Sequence, residues 1–367
     1  MQIAYSVNKV RKKLNFVIDD IVQVFKNHER LVDCTEAVIS VLLSIFVAHQ
    51  LHVAHVGWAA FSGYMVMRSH VIITLERGLL RVMGTILGGL LALNIGPLFN
   101  SPLYSGIMLA MVSFICIYCA LVAKRGYVWV FFGITFSMVC MDGIQHGVSQ
   151  INHFAYNRML EICIGTSCCV IVSALSTWFI RPRIFSEHII KKGLFPLAYH
   201  RVWWHRKAFF HAFQGAIAMM LVPLVWHDFG VMSLSQTVVT IMAVMAIPLS
   251  SLDLAVHPSS MKIRHRLAGC LCGGMVAFVF ISISYNFHAL VLIFIAIGIF
   301  IGRSIENSRA LSFKYAGTQF SLGLLIVLTP DHYSLISVEP GVQRLLGIFA
   351  GVILLEPVRM LTRRLIK

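Results

Sequence analysis

Residues 81–89 read RVMGTILGG, and residues 266–274 read RLAGCLCGG. Each stretch opens with an arginine (Arg81, Arg266) and places glycine three and seven positions later (Gly84 and Gly88; Gly269 and Gly273). Positions i, i+3 and i+7 share one face of an α-helix, so each arginine projects from the face that its glycines flatten into a groove. The pattern recurs at Arg344, Gly347 and Gly351. It occurs a fourth time at Arg158, Glu161 and Gly165, with a carboxylate in place of the first glycine. Glycine supplies only 26 of 367 residues, too few for three strict copies to arise by chance. The motif arginines lie 77 residues apart in the first half of the chain and 78 in the second, and the halves are offset by 185. A unit of that length holds three membrane spans, and the chain reads as a duplication of a duplication. A second echo agrees: Gly133, Phe136 and Ser137 recur as Gly317, Phe320 and Ser321.

Composition demands a bilayer. Apolar residues make up 58% of the chain and charged residues 12%, with a mean hydropathy of +0.81; a soluble globular domain carries about twice that charged fraction. The expected fold is an all-α integral membrane protein with twelve transmembrane helices, arranged as two six-helix halves that each read as a 3+3 inverted repeat. Spans are expected at 35–51, 53–69, 79–97, 103–122, 127–143, 160–180, 208–226, 232–250, 267–285, 288–302, 315–330 and 345–361. The uncharged run from Thr35 to Met67 is divided at His49 to His52, because one helix of that length would overshoot a hydrocarbon core of about 30 Å. Four regions follow: a cytoplasmic amphipathic segment at 1–34, the first transmembrane half at 35–180, a cytoplasmic interfacial connector at 181–207 and the second half at 208–367.

Charge placement fits that count. With the N-terminus inside, all of the 30 Lys and Arg except Arg158 and Arg344 fall on inner segments, as the positive-inside rule requires. Both termini are then cytoplasmic. A three-span unit repeated in sequence returns inverted, so a motif at the inner end of span 3 reappears at the outer end of span 6, which accounts for the two exceptions. The net charge of +15 is membrane orientation, with no nucleic-acid partner implied. The nine cysteines lie almost wholly inside spans without zinc-site spacing and read as small packing residues. His49, His52 and His55 read as a polar outer loop, so no metal or cofactor is expected.

The motif residues have two readings. In one, glycines let backbones approach and arginines reach the headgroups. In the other, Arg81 and Arg266 at the inner mouth and Arg158 and Arg344 at the outer mouth guide small organic anions, since a guanidinium is always charged and forks onto a carboxylate. Glu161, one turn after Arg158, is either its ion-pair partner or a proton-coupling group. Glu36, Asp142 and Asp228 read as interfacial. Tyr315 and Gln319 place polar groups inside a span, and Gln319 hydrogen-bonds either a neighbouring helix or a substrate. Trp58, Phe61, Tyr64 and Trp129 could stack on an aromatic ligand, although aromatic belts are the commoner cause.

At WAAFSGYMVM (58–67), TLERGLLRVMGTILGG (74–89), YAGTQFSLGLLIVL (315–328) and QRLLGIFAGVILLEP (343–357) the chain resembles the fusaric acid resistance or aromatic acid exporter family. It is more distantly similar to the aluminium-activated malate transporters, which are anion channels. The resemblance implies a bacterial inner-membrane exporter of aromatic or other hydrophobic carboxylic acids, with proton coupling as one source of drive. Many family members carry a large cytoplasmic domain between the halves, where this chain has only Arg181 to Lys207. The rivals are an anion channel or uniporter, and a membrane scaffold that transports nothing. No nucleophile motif or phosphate loop points to an enzyme. The partners that this reading names are the lipid bilayer, a small organic anion, and either a second copy of the chain or an efflux accessory protein.

Overall fold

The computed structural model describes residues 23–98, 101–181, 204–229, 234–253, 258–284, 288–308, 313–329 and 339–366. Most of the amphipathic N-terminal segment and of the 181–207 connector therefore lies outside the described residues. Within them there are twelve α-helices and no strand. They are α1 (His28–Gln50), α2 (Val56–Val66), α3 (Val71–Ile95), α4 (Pro102–Val122), α5 (Gly126–His146), α6 (Ile151–Phe179), α7 (Arg206–Phe229), α8 (Leu234–Met245), α9 (Pro258–Ser284), α10 (His288–Glu306), α11 (Lys314–Leu328) and α12 (Glu339–Ile366). Each expected apolar run contains one helix. Eight helices are long and apolar enough to cross a membrane. Helices α2, α8 and α11 have 11, 12 and 15 residues, which at 1.5 Å per residue falls well short of a bilayer core of about 30 Å.

The motif helices correct the expected boundaries. They start at Val71, Ile151, Pro258 and Glu339, six to nine residues before the starts expected at 79, 160, 267 and 345. Those expectations took each motif arginine to mark the membrane edge. The helices instead carry the arginines inward, and Arg81 sits ten residues, or about 15 Å, along α3.

Two of the short helices end at a break in the helical backbone. Helix α2 ends at Val66, and Met67 is extended (φ −54°, ψ 128°). Helix α8 ends at Met245, shortly before Pro248, which lacks an N–H and biases Ile247 away from helix. Lipid offers no partner to the carbonyls that a break exposes, and cationic or imidazole side chains supply one in both places. The Met67 carbonyl accepts from Arg68 Nη1 at 2.9 Å and from Arg303 Nη2 at 3.1 Å. Beyond α8, His211 Nε2 meets the Met245 carbonyl at 2.9 Å, while Lys262 Nζ donates to the carbonyls of Ala243, at 3.2 Å, and Ala246.

Helix pairing in α1–α6 recurs in α7–α12. Helix α3 lies along α5 as α9 does along α11, and α6 grips α2 as α12 grips α8. The first six helices meet the last six where α4 packs on α7, α5 on α8 and α1 on α10. Motif glycines make these contacts close. Gly84 and Gly88 face the carbonyl oxygens of Val128 and Phe132 on α5, and Gly269 and Gly273 face those of Ala316 and Phe320 on α11. Gly165 faces the Ala59 carbonyl on α2, and Gly351 the Thr237 carbonyl on α8; Gly347, one turn before Gly351, is buried. A Cβ at any of these contact positions would press on backbone, which cannot rotate away as a side chain can.

Candidate anion site

All four motif arginines are buried, between 1% and 4% exposed. Three of them, Arg81, Arg158 and Arg344, lie against the short helix α2, and Arg266 lies against α11. Arg81 stacks over Phe131 of α5 (4.1 Å) and approaches Phe61 (5.7 Å), and its Nη2 donates to Ser62 at 3.2 Å. Arg158 stacks over Trp58 at 3.7 Å and donates through Nη1 to Glu161 at 3.3 Å. Arg344 approaches the same Phe61 ring at 5.9 Å. Arg266 Nη1 donates to Gln319 Oε1 at 3.2 Å and to the Tyr315 hydroxyl at 3.4 Å. Gln319 thus holds a neighbouring helix, and Cys270 also reaches its backbone oxygen at 3.7 Å.

This geometry departs from the two-mouth arrangement expected from the sequence. Arg81, expected inside, and Arg344, expected outside, flank one phenyl ring. Arg81 also interacts electrostatically with Arg158, and Arg266 with Arg344. The arginines form one layer within the bundle because their helices begin earlier than charge alone suggested. Trp58 and Phe61, 5.2 Å apart, belong to this layer as well as to any interfacial belt.

The layer is short of partners. Arg81 Nε and Nη1, Arg158 Nε, Arg266 Nε and Nη2, and all three nitrogens of Arg344 are buried without a hydrogen-bond partner among the described residues. An arginine cannot shed its proton to escape that cost, and an unpaired buried charge costs several kcal/mol. Other buried arginines of the chain are treated differently. Arg303 forks onto Asp33 (2.7 and 3.0 Å) and lies 3.2 Å from Glu306, which also pairs with Arg68 at 3.3 Å and accepts from Tyr64 at 2.7 Å. Arg181 forks onto Glu36 at 2.9 and 2.5 Å. These pairs tie α1, α2, α6 and α10 together at the end of the bundle that the sequence places inside.

Sequence reasoning missed this ion-pair cluster. Asp33 and Arg303 are 270 residues apart, and no local pattern joins them. Glu36, read as interfacial, is 3% exposed and held by Arg181 and Ser176 at that same end of the bundle. Asp142 bonds His146 at 3.0 Å. Among the described residues no three His, Cys, Asp or Glu converge as a metal site. What the arginine layer can do is accept an anion: donors are present, acceptors are few, and aromatic faces lie beside them.

No curated protein and no solved structure matches the chain significantly. Residues 43–172, which hold the end of α1, all of α2 to α5, most of α6, and both Arg81 and Arg158, match a family model. That family is described as fusaric acid resistance protein-like, and with the apolar helices it makes the chain a multi-pass membrane protein, for which the match suggests transport of small organic compounds rather than an enzymatic reaction.

Proposed function

We propose that the protein exports small organic anions, aromatic or hydrophobic carboxylic acids, across a bacterial inner membrane. The chain would cross twelve times as two inverted-repeat halves, with both termini cytoplasmic. The single observation that carries this reading is the set of eight buried guanidinium nitrogens on Arg81, Arg158, Arg266 and Arg344 that lack a partner. A substrate carboxylate, which accepts about four hydrogen bonds, satisfies part of that set, and Trp58 and Phe61 receive its ring. Tyr315 and Gln319 orient Arg266, and the motif glycines set how closely the helices approach. Glu161 is the group we assign to proton coupling: its protonation releases Arg158 for the substrate, and its ionisation takes Arg158 back.

A negative interior already drives an anion outward by about 2.3 kcal/mol per 100 mV, so a channel would also export. Reconstituted vesicles separate the two. Benzoate accumulating uphill on a pH gradient, at voltage clamped to zero, identifies a coupled carrier; dissipation alone identifies a channel. Replacing both Arg158 and Arg344 by Gln abolishes benzoate flux with the protein still inserted. Unaltered flux would mean that the arginines only pack, as in a scaffold.

A further inference from the structure

A groove of about 430 Å³ runs between α9 and α12, over a floor that includes Gly323 and Val327 of α11. Met275, Phe278 and Val279 of α9 line it and are each more than half exposed, so it opens on the outer surface of the bundle, where lipid lies. Its lining is almost wholly apolar. The one charged member is Arg344, which is 2% exposed and, among the described residues, has no carboxylate or carbonyl partner for its three guanidinium nitrogens, with the Cys270 thiol beside it. Arg344 also approaches Phe61, so the groove ends at the arginine layer.

The equivalent seam in the first half is shut. A Cβ on Gly89 would meet the methyl, sulfur and Cγ of Met159 at 3.4–3.7 Å, whereas one on Gly274, 185 residues on, would meet nothing within 4 Å. Arg158 has Glu161 three residues on, and Arg344 has Gly347 there. Open space and an unpaired charge therefore occur together in one copy only.

We propose that this groove is a lateral entry site for a single-chain amphipathic carboxylate taken from the bilayer, with its carboxylate on Arg344 and its apolar tail along α9. The proposal rests on the transport reading above and names the route and substrate class for it. A permanent cation with no carboxylate beside it selects an anion, and a lining that is otherwise apolar but for the Cys270 thiol selects an apolar remainder. The volume lies in the lower part of the range for small-molecule sites, roughly 300–1,000 Å³, which suits one chain and not the two of a phospholipid. Acids with such tails partition into lipid by about 0.8 kcal/mol per buried CH₂, so the bilayer is where they concentrate.

The test uses the full chain in phosphatidylcholine vesicles, photolysed with decanoate carrying a diazirine in its tail and mapped by mass spectrometry. Label is expected on Met275, Phe278 or Val279, saturable by unlabelled decanoate and at least tenfold weaker in Arg344→Gln. Gly274→Phe, which puts a ring into the open space, should also remove it. Label that does not saturate, or that survives both substitutions, overturns the proposal. So does a diazirine phosphatidylcholine that labels the same residues with the same dependence on Arg344, since the occupant is then membrane lipid. Saturable labelling without decanoate flux keeps the site and removes the transport reading; flux without labelling removes the site alone.

Discussion

Helices α3 and α6 carry one arginine–glycine motif each, and so do α9 and α12, yet the two seams are finished differently. Across the first, the Met159 side chain covers Gly89 and Glu161 holds Arg158. Across the second, Gly274 faces open space and Gly347 leaves Arg344 without a carboxylate. In both copies the glycines lie against backbone carbonyls, but one helical turn apart in register: Gly88 faces that of Phe132, and Gly273 that of Phe320, whose counterpart in the first half is Phe136. Frame and chemistry are thus separable: glycines hold the helices at one spacing in each copy, while a methionine and a glutamate decide whether the seam is sealed.

The sharpest way to break that contrast is to unseal the first copy. Glu161→Gln leaves Arg158 buried and unpaired and should cost about 3–5 kcal/mol of stability, read as a lower midpoint in detergent unfolding. Excess benzoate should restore part of the loss, because an anion now pairs with Arg158; no restoration would mean that the layer does not take anions. Next in size is Arg344→Gln. It should lower carboxylate flux about 100-fold, the worth of one charged hydrogen-bonding anchor at about 2.7 kcal/mol, while Arg158→Gln lowers it less. Equal losses would erase the distinction between the copies.

Smaller effects test the shared frame. Gly88→Val and Gly273→Val each push a branched side chain against a carbonyl and should destabilise by about 1–3 kcal/mol, alike in both copies. A large difference between them in thermal unfolding would show that the frames are not equivalent. The smallest effect belongs to Gly274→Ala. Its Cβ meets nothing, so the substitution should be neutral or should stabilise by up to about 1 kcal/mol through helix propensity. Destabilisation there would mean that the open seam is closed in solution.

Twelve apolar runs were legible as twelve helices because apolar length is a local property of the chain. The positions of the arginines were not. Reading Arg81, Arg158, Arg266 and Arg344 as boundary residues placed them at mouths, since charge is normally excluded from lipid; nothing local announces a helix that continues past its charge into a protein interior. Pro248 is a visible signal for the break after α8, but the break at Met67 has none. The pairing of Arg158 with Glu161 could be read from their spacing of three. The pairing of Asp33 with Arg303 could not, because only the folded bundle brings α1 beside α10.

That last pair has a consequence for biosynthesis. Asp33 lies on α1, and the guanidinium that forks onto it is added 270 residues later, on the order of tens of seconds at ordinary translation speeds. The Met67 carbonyl, similarly, gains its second donor only when Arg303 arrives. A nascent chain stopped after α6 holds a carboxylate whose counter-ion has not been made, and is a natural target for membrane quality control. Until α10 is in place, Asp33 and the Met67 carbonyl lack the guanidinium that holds them both in the folded bundle.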